Sequence, residues 1–144
     1  MKDILNVGII GAAVPETTAE ACTRCEACTA SCAERAVALA AGSDPPRIDP
    51  ERCLNCGQCI RACPTASIAE AWRGFRVQIG GRLGRHPRLA RELPGIFGED
   101  QVIEIVQACL DLYKARSRNG ERFAHLFQDG DFEDFSRRFC GSAV

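Results

Sequence analysis

The chain is short of the residues that most often move protons at neutral pH. It has two histidines, His86 and His125, with a single tyrosine and a single tryptophan. Histidine-based catalysis therefore has almost no material. No Ser/His/Asp, Cys/His or paired-carboxylate constellation is legible, so the sequence shows no catalytic site of its own. No apolar run approaches the roughly 20 residues that span a bilayer. The opening MKDILNVGIIGAAVPE has the apolar tone of an export signal, but Asp3, Asn6 and its glycines interrupt it. It reads instead as a short buried strand, and without an export signal the expected compartment is the cytoplasm. Net charge is −1, which gives no support to a nucleic-acid partner.

Cysteine, by contrast, is abundant: ten in 144 residues. Nothing points to secretion, so a disulfide framework is not the expectation. Eight of the ten fall into two tight groups. One is Cys22-Thr-Arg-Cys25-Glu-Ala-Cys28-Thr-Ala-Ser-Cys32. The other is Cys53-Leu-Asn-Cys56-Gly-Gln-Cys59-Ile-Arg-Ala-Cys63, followed by Pro64. Both read C-x-x-C-x-x-C-x-x-x-C, offset by 31 residues at all four positions. Zinc also binds Cys-x-x-Cys pairs, but its sites use four ligands as two separated pairs. Two complete sets, each with three cysteines in tandem, favour iron–sulfur.

The spacing is that of the bacterial ferredoxin run for a [4Fe–4S] cluster, and residues 20–71 resemble a two-cluster bacterial ferredoxin domain. By that family's crossed rule, the first cluster takes Cys22, Cys25, Cys28 and Cys63. The second takes Cys53, Cys56, Cys59 and Cys32. The resemblance implies a pseudo-two-fold module of short hairpins and short helices, folded around two [4Fe–4S] clusters and passing electrons. Ala33 stands where Pro64 follows the second motif, so the shielding of the two clusters differs. The flanks Glu34-Arg-Ala-Val-Ala-Leu and Thr65-Ala-Ser-Ile-Ala-Glu read as helical or turn segments. Gly42-Ser-Asp-Pro-Pro reads as a turn, and Arg47-Ile-Asp-Pro-Glu-Arg as a short strand into the second motif.

Composition changes after the second motif. Residues 1–71 carry six Lys/Arg against nine Asp/Glu, and residues 72–144 carry twelve against ten. Phe75-Arg-Val-Gln-Ile79 alternates as a half-buried strand does. Then comes Gly80-Gly-Arg-Leu-Gly-Arg-His-Pro-Arg, with Arg82, Arg85 and Arg88 close together. It lacks the Gly-Lys-Ser/Thr ending of a Walker loop. An anion-gripping loop and a solvated basic loop both suit that composition. Val102, Ile105, Val106, Cys109, Leu112 and Tyr113 mark a helix with acids at its start, bases at its end and Asn119-Gly120 as a cap. Cys109 is expected to be a buried core thiol, His125 a packing residue and Cys140 incidental. Two shorter helices are expected around Phe123 and Phe132.

The segments VQIGGRLGRHPRLARELPGIF and VIEIVQACLDLYKARSRNGERFAHLF are similar to the C-terminal part of siroheme sulfite and nitrite reductases, above all the anaerobic and dissimilatory types. NVGIIGAAVPE resembles the segment preceding their inserted ferredoxin. That likeness implies an α+β fold in three stretches: residues 1–19 as a strand belonging with the C-terminal piece, residues 20–71 as the ferredoxin, and residues 72–144 as a small α/β piece with C-terminal helices. It implies a Gly/Arg loop facing siroheme, and a siroheme-bearing reductase chain among the redox partners. The Cys-x5-Cys and Cys-x3-Cys pairs that hold siroheme in the family find no free counterpart here. Siroheme is then expected only if an upstream segment or another chain supplies its ligands, and any enzymatic role would be sulfite or nitrite reduction.

Overall fold

The computed structural model describes residues 6–39, 45–83 and 85–141. The turn expected at Gly42, Ser43 and Asp44 lies outside them. The elements in chain order are β1 (Val7–Thr17), α1 (Ala27–Ser31), β2 (Val37–Ala38), β3 (Arg47–Ile48), α2 (Gln58–Ala62), β4 (Ile68–Ile79), β5 (Arg91–Glu92), α3 (Glu99–Arg116), α4 (Phe123–Leu126) and α5 (Asp129–Arg138). The fold class is α+β. Among the described residues no helix is long and apolar enough to cross a membrane. The chain divides into two compact units, one running from Gly11 to Arg73 and the other holding the residues before and after it. The divisions fall inside β1, at Ile10, and inside β4, at Arg73.

The Gly11–Arg73 unit is built twice. Helix α1 and helix α2 stand 31 residues apart, as their cysteines do, and pack against one another. The amide of Cys32 donates to Thr29 at 3.3 Å, and that of Cys63 to Ile60 at 3.3 Å. Asp49 N donates to Ala36 O at 2.8 Å, and its repeat-mate Thr18 N donates to Ser67 O at 3.1 Å. Strand β2 pairs antiparallel with β3, Val37 opposite Ile48. The start of β4 pairs with the end of β1 in the corresponding way. A small core of Cys28, Val37, Cys59 and Ile68 sits between the copies, with Ile48 and Ile60 against it. The segments after the fourth cysteines are therefore turns leading into strands, not helices. The β-branched Val37 and Ile68 each turn inward to this core, and the helices lie before those cysteines instead.

The other unit is organised by phenylalanine. Its sheet runs in the order β1-β4-β5. Phe75, Val77 and Ile79 alternate inward along β4, and β5 pairs with it antiparallel at Gln78↔Glu92. Arg76 and Glu92 close that pair with two contacts of 2.7 Å. Helix α3 lays Val102, Ile105 and Cys109 into the core. Rings then stack in series: Phe123 to Phe127 at 5.1 Å, Phe127 edge-on to Phe135 at 5.6 Å, and Phe135 to Phe139 at 5.6 Å. Gly95 makes room at the chain's close return, where an added Cβ would meet the Gly141 backbone at 2.8 Å.

Three expectations change in detail. Strand β1 is eleven residues long, and only Ala12 along it is buried. Helix α3 ends at Arg116, and its cap is Ser117, whose amide donates to Tyr113 O at 2.8 Å, rather than the Asn119-Gly120 turn, which a side chain ties down beyond the helix. The Glu121 carboxylate accepts from Arg118 N and Asn119 N at 3.0 Å and from Ser117 Oγ at 3.2 Å. The amides of Asn119, Glu121 and Arg118 hold that carboxyl down to about 2. His125 is exposed and not a packing residue; Phe123 and Phe127 to either side of it take the core.

Helix α5 is held to α3 by Arg116, whose guanidinium grips Asp131 at 2.6 and 2.7 Å. Asp131 also accepts from the Gln128 amide at 2.8 Å, which caps α5. Burial works against the charge on Asp131, but Arg116 and the Gln128 amide outweigh it and hold the carboxyl below its ordinary range. A lowered folded value means a contribution that is full at neutral pH and fades as acid protonates the group. Asp131→Asn should cost about 1 kcal/mol at pH 7, after screening at the half-exposed Arg116. Urea unfolding should show the gap to the wild type shrinking from pH 7 to pH 3.

Candidate metal centre

Chelation by cysteines with two residues between them requires the backbone to turn sharply from one to the next. Both groups do this with left-handed residues. Arg24 (φ 57°) and Glu26 (φ 61°) lie in the gaps of the first; Asn55 (φ 53°) and Gly57 (φ 68°) lie in those of the second. After the fourth cysteine, Arg35 (φ 52°) and Ala66 (φ 57°) repeat the same turn. Each pair is 31 residues apart. Gly57 is needed for space as well as conformation, because an added Cβ would meet Ala13 Cβ at 3.0 Å. Ala13 N donates to Asn55 O at 2.7 Å, so β1 pins this turn from outside.

All eight cysteines of the motifs are free thiols in this unit. Cys28 and Cys59 are buried, Cys25 and Cys56 exposed, and Cys22, Cys32, Cys53 and Cys63 half-buried. A cavity of about 300 Å³ is lined by Cys53, Cys56 and Cys59 together with Cys32 from the other group. Pro15, Val37 and Leu54 supply apolar wall. On the opposite side, burial pushes the Cys28 thiol up, and the charges that add to the effect are those of Cys22 and Cys63. For Cys59, burial is again first, followed by Cys53. Cys32 thus shares a cavity with Cys53, Cys56 and Cys59, and Cys22 and Cys63 both lie near Cys28. Among the described residues, no three Cys, His, Asp or Glu side chains converge as a shell for a single metal ion. Sulfurs bound to one zinc at about 2.3 Å lie closer together than those at the corners of a cubane.

The donor chemistry suits an anionic sulfur cluster. Arg24 N donates to Cys22 Sγ at 3.4 Å, and Ala36 N to Cys32 Sγ at 3.2 Å. Ser67 Oγ lies 3.3 Å and Thr65 Oγ1 3.8 Å from Cys63 Sγ. Burial pushes the Cys63 thiol up, but Ser67, the amides of Ile68 and Thr65, and the Thr65 hydroxyl outweigh it, bringing the thiol down to about 6. The two hydroxyls were not among the residues singled out from sequence. Setting the repeats side by side exposes them, since Ala36 and Glu34 occupy the corresponding places.

The other thiols differ in kind. Cys109 is fully buried and its thiol is pushed up to about 12 by burial alone, as befits a core residue. Cys140 is exposed. In the Gly/Arg loop, Arg82 and Arg88 exchange backbone hydrogen bonds of 2.9 and 3.0 Å. Arg82 Nε donates to His86 O at 2.8 Å. Arg88 is a strut: it donates to Gly80 O at 3.2 Å and Phe127 O at 3.0 Å. Arg85 is exposed. Arg82, Arg88 and Arg122 border an open cleft of about 320 Å³.

The sequence matches the model of the nitrite and sulphite reductase 4Fe-4S domain over residues 3–141. The fold is similar to the crystal structure of dissimilatory sulfite reductase I (DsrI), with a TM-score of 0.58 and 14% sequence identity. That alignment covers 99% of this chain but 40% of the other, so the chain spans less than half the length of this neighbour. At such identity the likeness is one of fold. No curated protein matches the sequence significantly. The family match takes in both cysteine groups and the phenylalanine-rich unit: the chain belongs to the nitrite and sulphite reductase 4Fe-4S domain family.

Proposed function

We propose that the chain carries two [4Fe–4S] clusters and delivers electrons within a siroheme sulfite or nitrite reductase. In this reading residues 20–71 are the ferredoxin module, and residues 1–19 and 72–144 are the reductase framework around it. The observation that carries it is the crossed arrangement of cysteines, clearest in the cavity that joins Cys32 to Cys53, Cys56 and Cys59. When bound, each cluster takes up and passes on one electron at a time.

The chain's own residues would supply everything around that chemistry. Cys22, Cys25, Cys28 and Cys63 would hold one cluster, and Cys32, Cys53, Cys56 and Cys59 the other. Backbone amides aimed at sulfur offset part of the negative charge that thiolates bring together. Val37, Ile68, Ile48 and Ile60 keep water from the space between the copies. The charge balance of residues 72–144, and the exposed Arg85, suit a face turned toward an anionic group such as the carboxylates of siroheme. The ligands for siroheme would come from elsewhere in the reductase, upstream or on another chain. We place the protein in the cytoplasm, whose reducing poise suits ten cysteines.

Anaerobically purified protein should be brown and contain about eight irons and eight acid-labile sulfides per chain. Zinc without sulfide would defeat the proposal. Cys56→Ala should remove about half the iron and destabilise the Gly11–Arg73 unit, whereas Cys109→Ala should leave iron unchanged. Equal iron loss in the two variants would contradict the ligand assignment. The reductase setting has its own readout: co-purification with a siroheme chain from the native source, detected by pigment extraction, is expected. Isolation of a siroheme-free, self-sufficient carrier would leave electron transfer standing without that setting.

A further inference from the structure

The two cysteine sites are near copies, and one place where they differ in chemistry is beside the fourth cysteine. We infer that the Ser67 hydroxyl makes the site completed by Cys63 the more easily reduced of the two. This rests on the reading above that Cys63 is a cluster ligand.

Ser67 Oγ lies 3.3 Å from Cys63 Sγ, and Ser67 is 1% exposed. A cysteine bound to iron carries no proton, so the hydroxyl must be the donor. Thr65 Oγ1 lies 3.2 Å from Ser67 Oγ. It can donate in turn, and a chain of two hydroxyls ending on sulfur polarises in one direction. The repeat-mate of Ser67 is Ala36, which offers Cys32 a backbone amide at 3.2 Å and has no hydroxyl. The repeat-mate of Thr65 is Glu34, a carboxylate that has nothing to donate at neutral pH.

The hydroxyl is also held still. Thr18 N donates to Ser67 O at 3.1 Å, and Thr18 Oγ1 donates to Ala66 O at 2.8 Å. Those bonds lock the left-handed turn that aims Ser67 at the sulfur. Reduction adds one electron and no proton, and the added charge spreads onto the thiolate sulfurs. A buried donor on one of them stabilises the reduced form more than the oxidised form, and low polarity strengthens the effect. An electron shared between the two sites would rest on the Cys63 side.

The test is an EPR-monitored redox titration of the full chain, purified anaerobically with its clusters, as wild type, Ser67→Ala and Thr65→Val. Two midpoints are expected in the wild type. Ser67→Ala should lower the higher one and leave the lower one in place. A tenfold fall in the reduced-to-oxidised ratio at fixed potential is expected, equivalent to about 59 mV for one electron. Thr65→Val should move the same midpoint in the same direction by less. If Ser67→Ala keeps its iron and sulfide and neither midpoint moves, or the lower one moves, the inference is overturned. If Ser67→Ala loses iron, an unmoved higher midpoint in fully loaded Thr65→Val overturns it equally. A wild type without two clusters' worth of iron and sulfide is a different failure, that of the ligand reading itself.

Discussion

Bringing several thiols to one point is the constraint on which the Gly11–Arg73 unit depends. Thiolates repel one another, and three of them in seven residues cannot converge on a regular helix or strand. The chain answers with left-handed backbone between them, mostly at residues that are not glycine. Arg24, Glu26 and Asn55 hold positive φ there, and Arg35 and Ala66 do so after the fourth cysteines. Such conformations cost about 1–3 kcal/mol each and persist where surroundings over-determine them. Here the surroundings are hydrogen bonds from neighbouring strands, as from Ala13 to Asn55 and from Thr18 to Ala66 and Ser67. The strained turns and the strands beside them are therefore one device.

The duplication has a second consequence. In the proposed crossed ligation each group of three depends on the other group's fourth cysteine, so neither copy would form a complete site alone. The apolar core between them is small, and Cys28 and Cys59 occupy part of it. Two thiols that burial makes reluctant to ionise sit where a metal cluster would supply the compensating charge. Without that charge, forming thiolates there would oppose folding. The phenylalanine unit has no such dependence. Its core closes with ring on ring, and its one deeply placed thiol, Cys109, is inert by burial.

Much of this was legible in the sequence because the relevant chemistry is periodic. Eight cysteines at a constant offset announce a repeat, and the three- and four-residue rhythm from Val102 to Tyr113 announces α3. What was not legible depended on contacts between distant segments. Thr65-Ala-Ser-Ile-Ala-Glu has helical composition, yet its pairing partner lies some fifty residues earlier, and that partner makes Ile68 the start of a strand. Asn119-Gly120 has the composition of a cap for α3, but the helix closes earlier, at Ser117, and the Glu121 carboxylate accepts from the amides of the turn that follows. His125 sits between two buried phenylalanines in sequence, and one residue's rotation on a short helix leaves it outside. Arg88, grouped with its neighbours as an anion-binding candidate, spends its donors on backbone carbonyls 36 to 39 residues away, a commitment that no local pattern encodes.

The Ser67 hydroxyl lies between those cases. Its identity was in the sequence, and so was the alanine at the corresponding place in the first copy. What the sequence could not show was that both positions face the fourth cysteine, since a turn of the opposite hand would point them away. The structure supplies that direction through Ala66 and its tie to Thr18. Near-symmetry is what gives the difference meaning. Two sites with the same helices, the same left-handed turns and the same cysteine spacing share most of what sets a potential. The Ser67 hydroxyl on the Cys63 sulfur is then a contribution that its counterpart, Ala36, does not match. In the proposed two-cluster carrier, equal potentials would leave no preferred direction within the chain, and one such hydroxyl would create one.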